Sequence, residues 1–136
     1  MRRSRVLKSA AFRWPGVPLR AYDEDGDHFQ GVTRQTLLGE EAGEEALRFL
    51  TRYFEVAPGG YSSLEHHRHP HAVIVLRGAG EVLLDGESHE IEPFDVVYVA
   101  PGSVHRFLAS RGQALGFLCV VDRDRDRPVR VEPGAR

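Results

Sequence analysis

The chain of 136 residues is long enough for one domain with a substantial core and too short for two such domains. Its 18 lysines and arginines stand against 20 aspartates and glutamates, which excludes proteins that bind nucleic acid through a concentrated positive surface. The single cysteine, Cys119, excludes an internal disulfide, and its apolar setting ALGFLCVV predicts a small buried residue rather than a nucleophile.

The first thirty residues predict an irregular N-terminal arm. The basic start MRRSRVLK is followed by SAAFRWPG, where an export signal would need about 7 to 15 apolar residues. No stretch approaches the roughly 18 apolar residues of a membrane span. Residues 14–27 are rich in Pro, Gly and Asp, which favours irregular structure. We therefore expect a protein of the reducing cytoplasm with no membrane partner.

Two strands are predicted before the first glycine-rich turn. Residues 32–38 alternate and end at Gly39, and residues 47–56 alternate strongly and end at Pro58. One face of the second strand carries Arg52 among apolar neighbours. An arginine in that position usually pairs with a glutamate; the alternative is that Arg52 faces a pocket and binds an anionic substrate.

Residues 59–78, GGYSSLEHHRHPHAVIVLRG, contain four of the seven histidines. If residues 73–76 form a buried strand, alternation places Glu65, His67, His69 and His71 on one face and His66 on the other. Imidazoles together with a carboxylate are typical ligands of a divalent transition metal. The alternative is a solvated histidine-rich loop without a function.

The rest of the chain continues the strand pattern. Strands are predicted at 81–84 and 88–92 around an Asp85-Gly86 hairpin turn, and at 95–100, 104–109 and 114–121. Counted from residue 32 this makes about eight short strands and no convincing long helix, which indicates a closed antiparallel sandwich or barrel. Residues 122–136 begin DRDRDR and predict a solvated, partly ordered charged tail.

His105 is the candidate for the opposite wall of the histidine-rich site. It follows a buried strand just past the Pro101-Gly102 turn, so its imidazole can face the barrel interior. A lone histidine after a turn is more often a surface residue. The candidate ligands at 65–71, however, favour the interpretation of His105 as a further metal ligand.

The residues around this site resemble the first motif of the cupin family. That motif runs glycine, five residues, His-x-His, three or four residues, Glu, six residues, glycine. Gly59, Glu65, His67, His71 and Gly78 match the spacing, with the identities at 65 and 71 exchanged. The set still consists of imidazoles and one carboxylate.

The second cupin motif is matched at Gly102 and His105, whereas Phe94, Ala100 and Ala109 replace its glycine, proline and asparagine. The resemblance covers about residues 50–121. It implies an all-β double-stranded β-helix, the cupin or jelly-roll barrel, over residues 31–121, between the arm of 1–30 and the tail of 122–136. Small cupins pair as dimers through their sheets or exchange N-terminal strands; by that analogy a homodimer is a candidate state, and in the second case the arm would cross to the partner.

The resemblance implies one bound divalent transition metal, with Fe, Mn, Ni, Zn and Cu not distinguished. One ligand register uses Glu65, His67, His71 and His105. In the rival register His67 and His69 form the His-x-His pair and Pro70 bulges the chain, so that His69 replaces Glu65 as the fourth ligand.

Three functional hypotheses follow. The first is a metal-dependent enzyme, an oxygenase or an isomerase, that acts on a small organic substrate in a pocket lined by Arg52, Tyr98 and Phe107. The second is a non-catalytic small-molecule binding or sensor domain, because the barrel serves many functions. In the third, no metal binds and the histidines are incidental.

Overall fold

The computed structural model describes residues 3–22 and 29–132, so the remaining parts of the predicted arm and tail lie outside the described residues. Within these ranges the protein is all-β, and no helix is long and apolar enough to cross a membrane. The strands are β1 Arg20–Tyr22, β2 Gln30–Leu38, β3 Phe49–Tyr61, β4 Glu65–His66, β5 His71–Arg77, β6 Gly80–Leu84, β7 Glu87–Ile91, β8 Val96–Val99, β9 His105–Ala109, β10 Leu115–Asp122 and β11 Val129–Arg130.

The strands form one curled antiparallel sheet. Its main path runs β11, β4, β9, β3, β10, β5 and β8, with β2 beside β3 and the β6–β7 hairpin beside β9. The inward faces of these strands share a core in which Val56, Val73, Val75, Val99 and Leu115 are fully buried. This core follows from the alternation of apolar side chains, because successive residues of a strand point to opposite faces.

All eight predicted strands are present, and three very short strands, β1, β4 and β11, were missed. The predicted end at Pro58 is wrong, because β3 continues to Tyr61. Its first part pairs with β10, and Tyr61 pairs with Leu108 of β9. Between these pairings Gly59 adopts a φ of 75° and its N–H donates to the Ser110 carbonyl at 2.8 Å. The Pro-Gly-Gly segment therefore redirects the strand instead of ending it.

Several residues in turns have positive φ angles, which restricts the side chains that fit there. Asp85 and Gly86 both have positive φ angles, as the predicted hairpin turn requires. Gly78 has a φ of 77°, and a Cβ built there would lie 1.6 Å from the Ala114 carbonyl oxygen, so only glycine fits. Phe94 also has a φ of 76°, although it is not a glycine and its side chain is 84% exposed.

The described part of the N-terminal arm packs on its own barrel. The centroids of the Trp14 and Tyr53 rings are 5.1 Å apart. The buried Gln35 side chain accepts a hydrogen bond from the Trp14 N–H and donates to the carbonyls of Trp14 and Val17. These contacts fix residues 14–17 to the outside of β2 and β3.

Candidate functional site

The structure brings together five residues from two separate parts of the barrel sequence. Glu65 lies on β4, His67 and His69 on the following loop, His71 at the start of β5, and His105 at the start of β9. Glu65 and His105 are direct partners in the β4–β9 pairing. The residues at 65–71 therefore meet His105 across the curled sheet, although His67 and His69 lie in a loop.

Each of the four imidazoles has its Nδ1 atom occupied by a protein group. His67 Nδ1 donates to the His69 carbonyl at 2.6 Å, and His105 Nδ1 donates to the Ser103 carbonyl at 2.9 Å. His69 Nδ1 lies 2.8 Å from Asp126 Oδ1, and His71 Nδ1 lies 3.0 Å from Cys119 Sγ. Contacts of this kind orient the ring of a metal-ligating histidine and leave Nε2 for the metal.

The Nε2 atoms converge. Those of His69 and His71 are 3.3 Å apart, and His105 Nε2 lies 3.9 Å from Glu65 Oε1. Two imidazole nitrogens bound to one ion at about 2.1 Å are about 3.0 to 3.4 Å apart, so the observed separation fits a shared metal. His67 Nε2 is buried without a hydrogen-bond partner, which leaves a polar atom that a metal would satisfy.

The candidate ligand atoms fall into two groups that share His67. One group is His67, His69 and His71, and the other is Glu65, His67 and His105, with the ligand atoms of each group within 4.8 Å of one another. One group contains Glu65 and the other contains His69, so both ligand registers remain compatible with the geometry. The cluster is a histidine-rich group that could bind a metal.

Burial keeps three of the imidazoles, those of His67, His71 and His105, neutral. Desolvation, reinforced by the neighbouring histidines, lowers the pKa of His67 from 6.5 to about 4 and that of His71 to about 2. Burial also lowers the pKa of His105. Neutral imidazole is the form that binds a metal, so the site is ready for an ion at neutral pH.

Asp126 is a site residue that the sequence did not predict. Its carboxylate accepts hydrogen bonds from the backbone N–H groups of Arg68 and His69 and from the His69 ring. These bonds hold the pKa of Asp126 well below its usual range. Asp126 lies in the segment predicted to be a solvated tail, and it instead fixes the loop that carries two candidate ligands.

A cavity of about 410 Å³ adjoins the cluster, within the range of small-molecule sites. Of the three predicted lining residues, Arg52 and Phe107 line it, and Tyr98 does not. Tyr98 is 66% exposed because its neighbours Val97 and Val99 take the inward positions of β8. The continuous apolar run of that strand gave no alternation from which its facing could be predicted.

Cys119 is buried, as predicted, and also lines the cavity. Its Sγ contacts His71 Nδ1 at 3.0 Å and accepts from the Arg52 guanidinium at 3.6 Å. Burial raises the pKa of the thiol, and Arg52 acts in the opposite direction. The sequence indicated its burial but not its contact with a candidate ligand.

The predicted solvated tail supplies part of the cavity wall. Arg125, Arg127 and Arg130 line the cavity. The segment is held by the β11–β4 pairing and by a hydrogen bond from the Val131 N–H to the Leu64 carbonyl. The alternating DRDRDR sequence could have indicated this role. In an extended chain the alternation places the acidic side chains on one face and the basic side chains on the other.

A curled antiparallel barrel with a histidine-rich cluster beside an interior cavity defines a small β-barrel protein that could hold a metal. Residues 52–121 match the cupin-2 family, described as Cupin domain. The chain therefore belongs to the cupin family, which confirms the predicted resemblance and the all-β cupin fold. Members of this family bind small-molecule substrates or ligands.

Three relatives show how far the similarity extends. The 1-methylthio-D-xylulose 5-phosphate methylsulfurylase of Rhodospirillum rubrum is 44% identical over 118 residues, which cover 86% of this chain and 73% of that protein. A crystal structure of a cupin-2 domain from Rhodospirillum rubrum is 40% identical, with a TM-score of 0.83 over 96% of this chain and 86% of that one. A cupin 2 conserved barrel protein from Rhodopseudomonas palustris is 42% identical, with a TM-score of 0.82 over 90% and 83%.

Proposed function

We propose that the protein is a metal-dependent enzyme that acts on a small organic substrate in the cavity. The observation that carries this proposal is the convergence of imidazole Nε2 atoms, one of them buried without a partner, at the cavity wall. The first substrate to test is 1-methylthio-D-xylulose 5-phosphate, because the methylsulfurylase relative is named for it. The reaction class would then be transfer of a methylsulfur group rather than the oxygenation or isomerisation expected from the sequence.

His67, His71 and His105, with Glu65 or His69 as the fourth ligand, would hold one divalent ion of Fe, Mn, Ni, Zn or Cu. When bound, such an ion supplies a Lewis acid that polarises a carbonyl group of the substrate.

Cys119 is the residue of this chain suited to accept sulfur. It is the only cysteine, and its Sγ lines the cavity next to His71. Attack of that sulfur on a methylthio sulfur would form an S–S bond and break the C–S bond to the sugar. The electron pair would pass to the carbon next to the ketone, and that carbon would then take a proton. A second thiol would release methanethiol and leave a disulfide, which a further thiol would reduce to restore Cys119. The reducing cytoplasm, where we place the protein, provides such thiols.

The test begins with elemental analysis of protein purified without a histidine tag, followed by turnover of the methylthio substrate in the presence of a thiol. We expect His67→Ala and His105→Ala to lose the metal, while the matched control His89→Ala, at an exposed position of the hairpin, retains it. Cys119→Ser should retain the metal and lose turnover. Unchanged metal content in both ligand variants would contradict the proposal.

Two further variants separate the ligand registers. Glu65→Gln and His69→Ala should differ, because loss of the true fourth ligand should weaken metal binding by about tenfold or more. Tight binding of the substrate without turnover by any metal-loaded form would instead favour the sensor hypothesis.

A further inference from the structure

We infer that Arg34, Arg52 and Arg125, here called the arginine triad, form an oxyanion subsite that takes the phosphate group of a phosphomonoester. The three side chains come from β2, β3 and the segment after β10, and all three line the cavity. The subsite uses different side chains from the histidine cluster and does not depend on a metal.

The register of β2 and β3 places two members of the triad side by side. Arg34 is the partner of Phe54, and Thr36 is the partner of Arg52. Partners in an antiparallel pair share a face, and diagonal neighbours lie about 7 to 8 Å apart, within reach for two long side chains. That face is the one that lines the cavity.

Arg52 is a buried cation without a carboxylate partner. It is only 7% exposed, and its Nε atom has no hydrogen-bond partner. Its guanidinium contacts the Cys119 sulfur at 3.6 Å and lies 5.0 Å from the centre of the Phe54 ring, and neither group carries a full negative charge. No ion pair of Arg52 is found within the ranges that the structure describes. A buried charge in this state is costly unless an anion joins it.

Arg125 adds a further positive charge at the same place. Its pKa is lowered first by burial and then by the nearby charges of Arg52 and Arg34, with Glu40 acting in the opposite direction. The cavity wall as a whole holds five arginines and one carboxylate, that of Glu65. This concentration of guanidinium groups around the buried Arg52 favours an anion of high charge as its partner.

A phosphomonoester fits these requirements better than a carboxylate. Guanidinium groups bind phosphate through paired N–H donors, and several of them can share one dianionic group with three terminal oxygens. The 5-phosphate of the relative's substrate belongs to the same chemical class. Only this last point rests on the proposed function.

The experiment is calorimetric titration of chelator-treated, metal-free protein with inorganic phosphate at constant ionic strength. We expect the unmodified chain to bind phosphate, and Arg125→Gln to weaken binding by about tenfold or more. Arg52→Lys keeps the charge but loses the paired donors, so it should also weaken binding. The matched control Arg111→Gln, at an exposed position outside the cavity, should bind normally.

Absence of phosphate binding to the unmodified chain would overturn the inference. Equal weakening by Arg125→Gln and Arg111→Gln would overturn it too, because the effect would then be nonspecific. Acetate that binds as tightly as phosphate would contradict the assignment to phosphomonoesters. Since no metal is present, none of these outcomes depends on the proposed metal centre, and loss of metal in the histidine variants leaves the inference untouched.

Discussion

Acidification should destabilise the metal-free protein at pH values above those at which most carboxylates titrate. The pKa values of His67 and His71 are about 4 and about 2 in the folded state, against 6.5 ordinarily. Below pH 6.5 the unfolded chain therefore binds more protons than the folded chain. The stability that these neutral imidazoles contribute is fully present above pH 6.5 and is lost as the pH falls below it.

The size of the effect follows from the same values. Each histidine costs about 1.4 kcal/mol of unfolding free energy per pH unit below 6.5, so each costs about 2 kcal/mol at pH 5. The centroids of the two rings lie 4.5 Å apart, His67 lowers the pKa of His71, and His69 and His105 lower the pKa of both, so the two losses are not fully additive. We expect a total loss of about 2 to 4 kcal/mol between pH 8 and pH 5.

Urea unfolding at a series of pH values, with chelator present and Trp14 fluorescence as the signal, measures this loss directly. His67→Gln should remove a substantial part of the pH dependence, and His89→Gln, at an exposed position, should leave it unchanged. An unfolding free energy that stays constant between pH 8 and pH 5 would refute the reasoning. Asp126 and Asp85, whose pKa values are lowered, act below about pH 4 and do not confuse the result.

Three other predictions concern single contacts. Phe94→Gly should raise the unfolding free energy by about 0.5 to 1 kcal/mol in urea titrations, because it removes a side chain from left-handed backbone, whereas Phe94→Ala should give no such gain. Asp126→Asn should weaken metal binding by about tenfold or more in competition titrations, because it loosens the His69 loop, and the exposed Asp124→Asn should not. A chain that begins near Val32 should have an unfolding free energy lower by about 2 kcal/mol or more, since it lacks the Trp14 contacts. The same variant tests the homodimer. If size-exclusion chromatography gives it the same oligomeric state as the full chain, arm exchange is excluded.

Alternation and turn chemistry were sufficient to predict the strands of the barrel and the hairpin at Asp85-Gly86. The spacing of the glycines and histidines was sufficient to bring Glu65 and the histidines to one place. Alternation and turn chemistry act over a few residues, and the motif spacing is a pattern within one sequence, so both can be read from a single chain.

The contacts that the sequence did not reveal depend on distant segments. For Arg52 the sequence left open either a glutamate partner or a place in the pocket, and only the folded sheet shows its buried guanidinium beside Cys119. Asp126 and Arg125 belong to a stretch in which acidic and basic residues alternate, so the sequence shows no net charge there. Pairing of β11 with β4 places these charges in the site, and that pairing involves only two residues of each strand. No local pattern of this length predicts a partner more than fifty residues away.

The cavity wall draws its residues from two separate parts of the chain. The family match ends at residue 121, whereas Arg125, Arg127 and Arg130 lie beyond it. The barrel carries the candidate metal ligands, and the following ten residues carry most of the positive charge of the cavity. Substitution of these three arginines can therefore change the charge of the cavity while the buried core of the barrel stays the same.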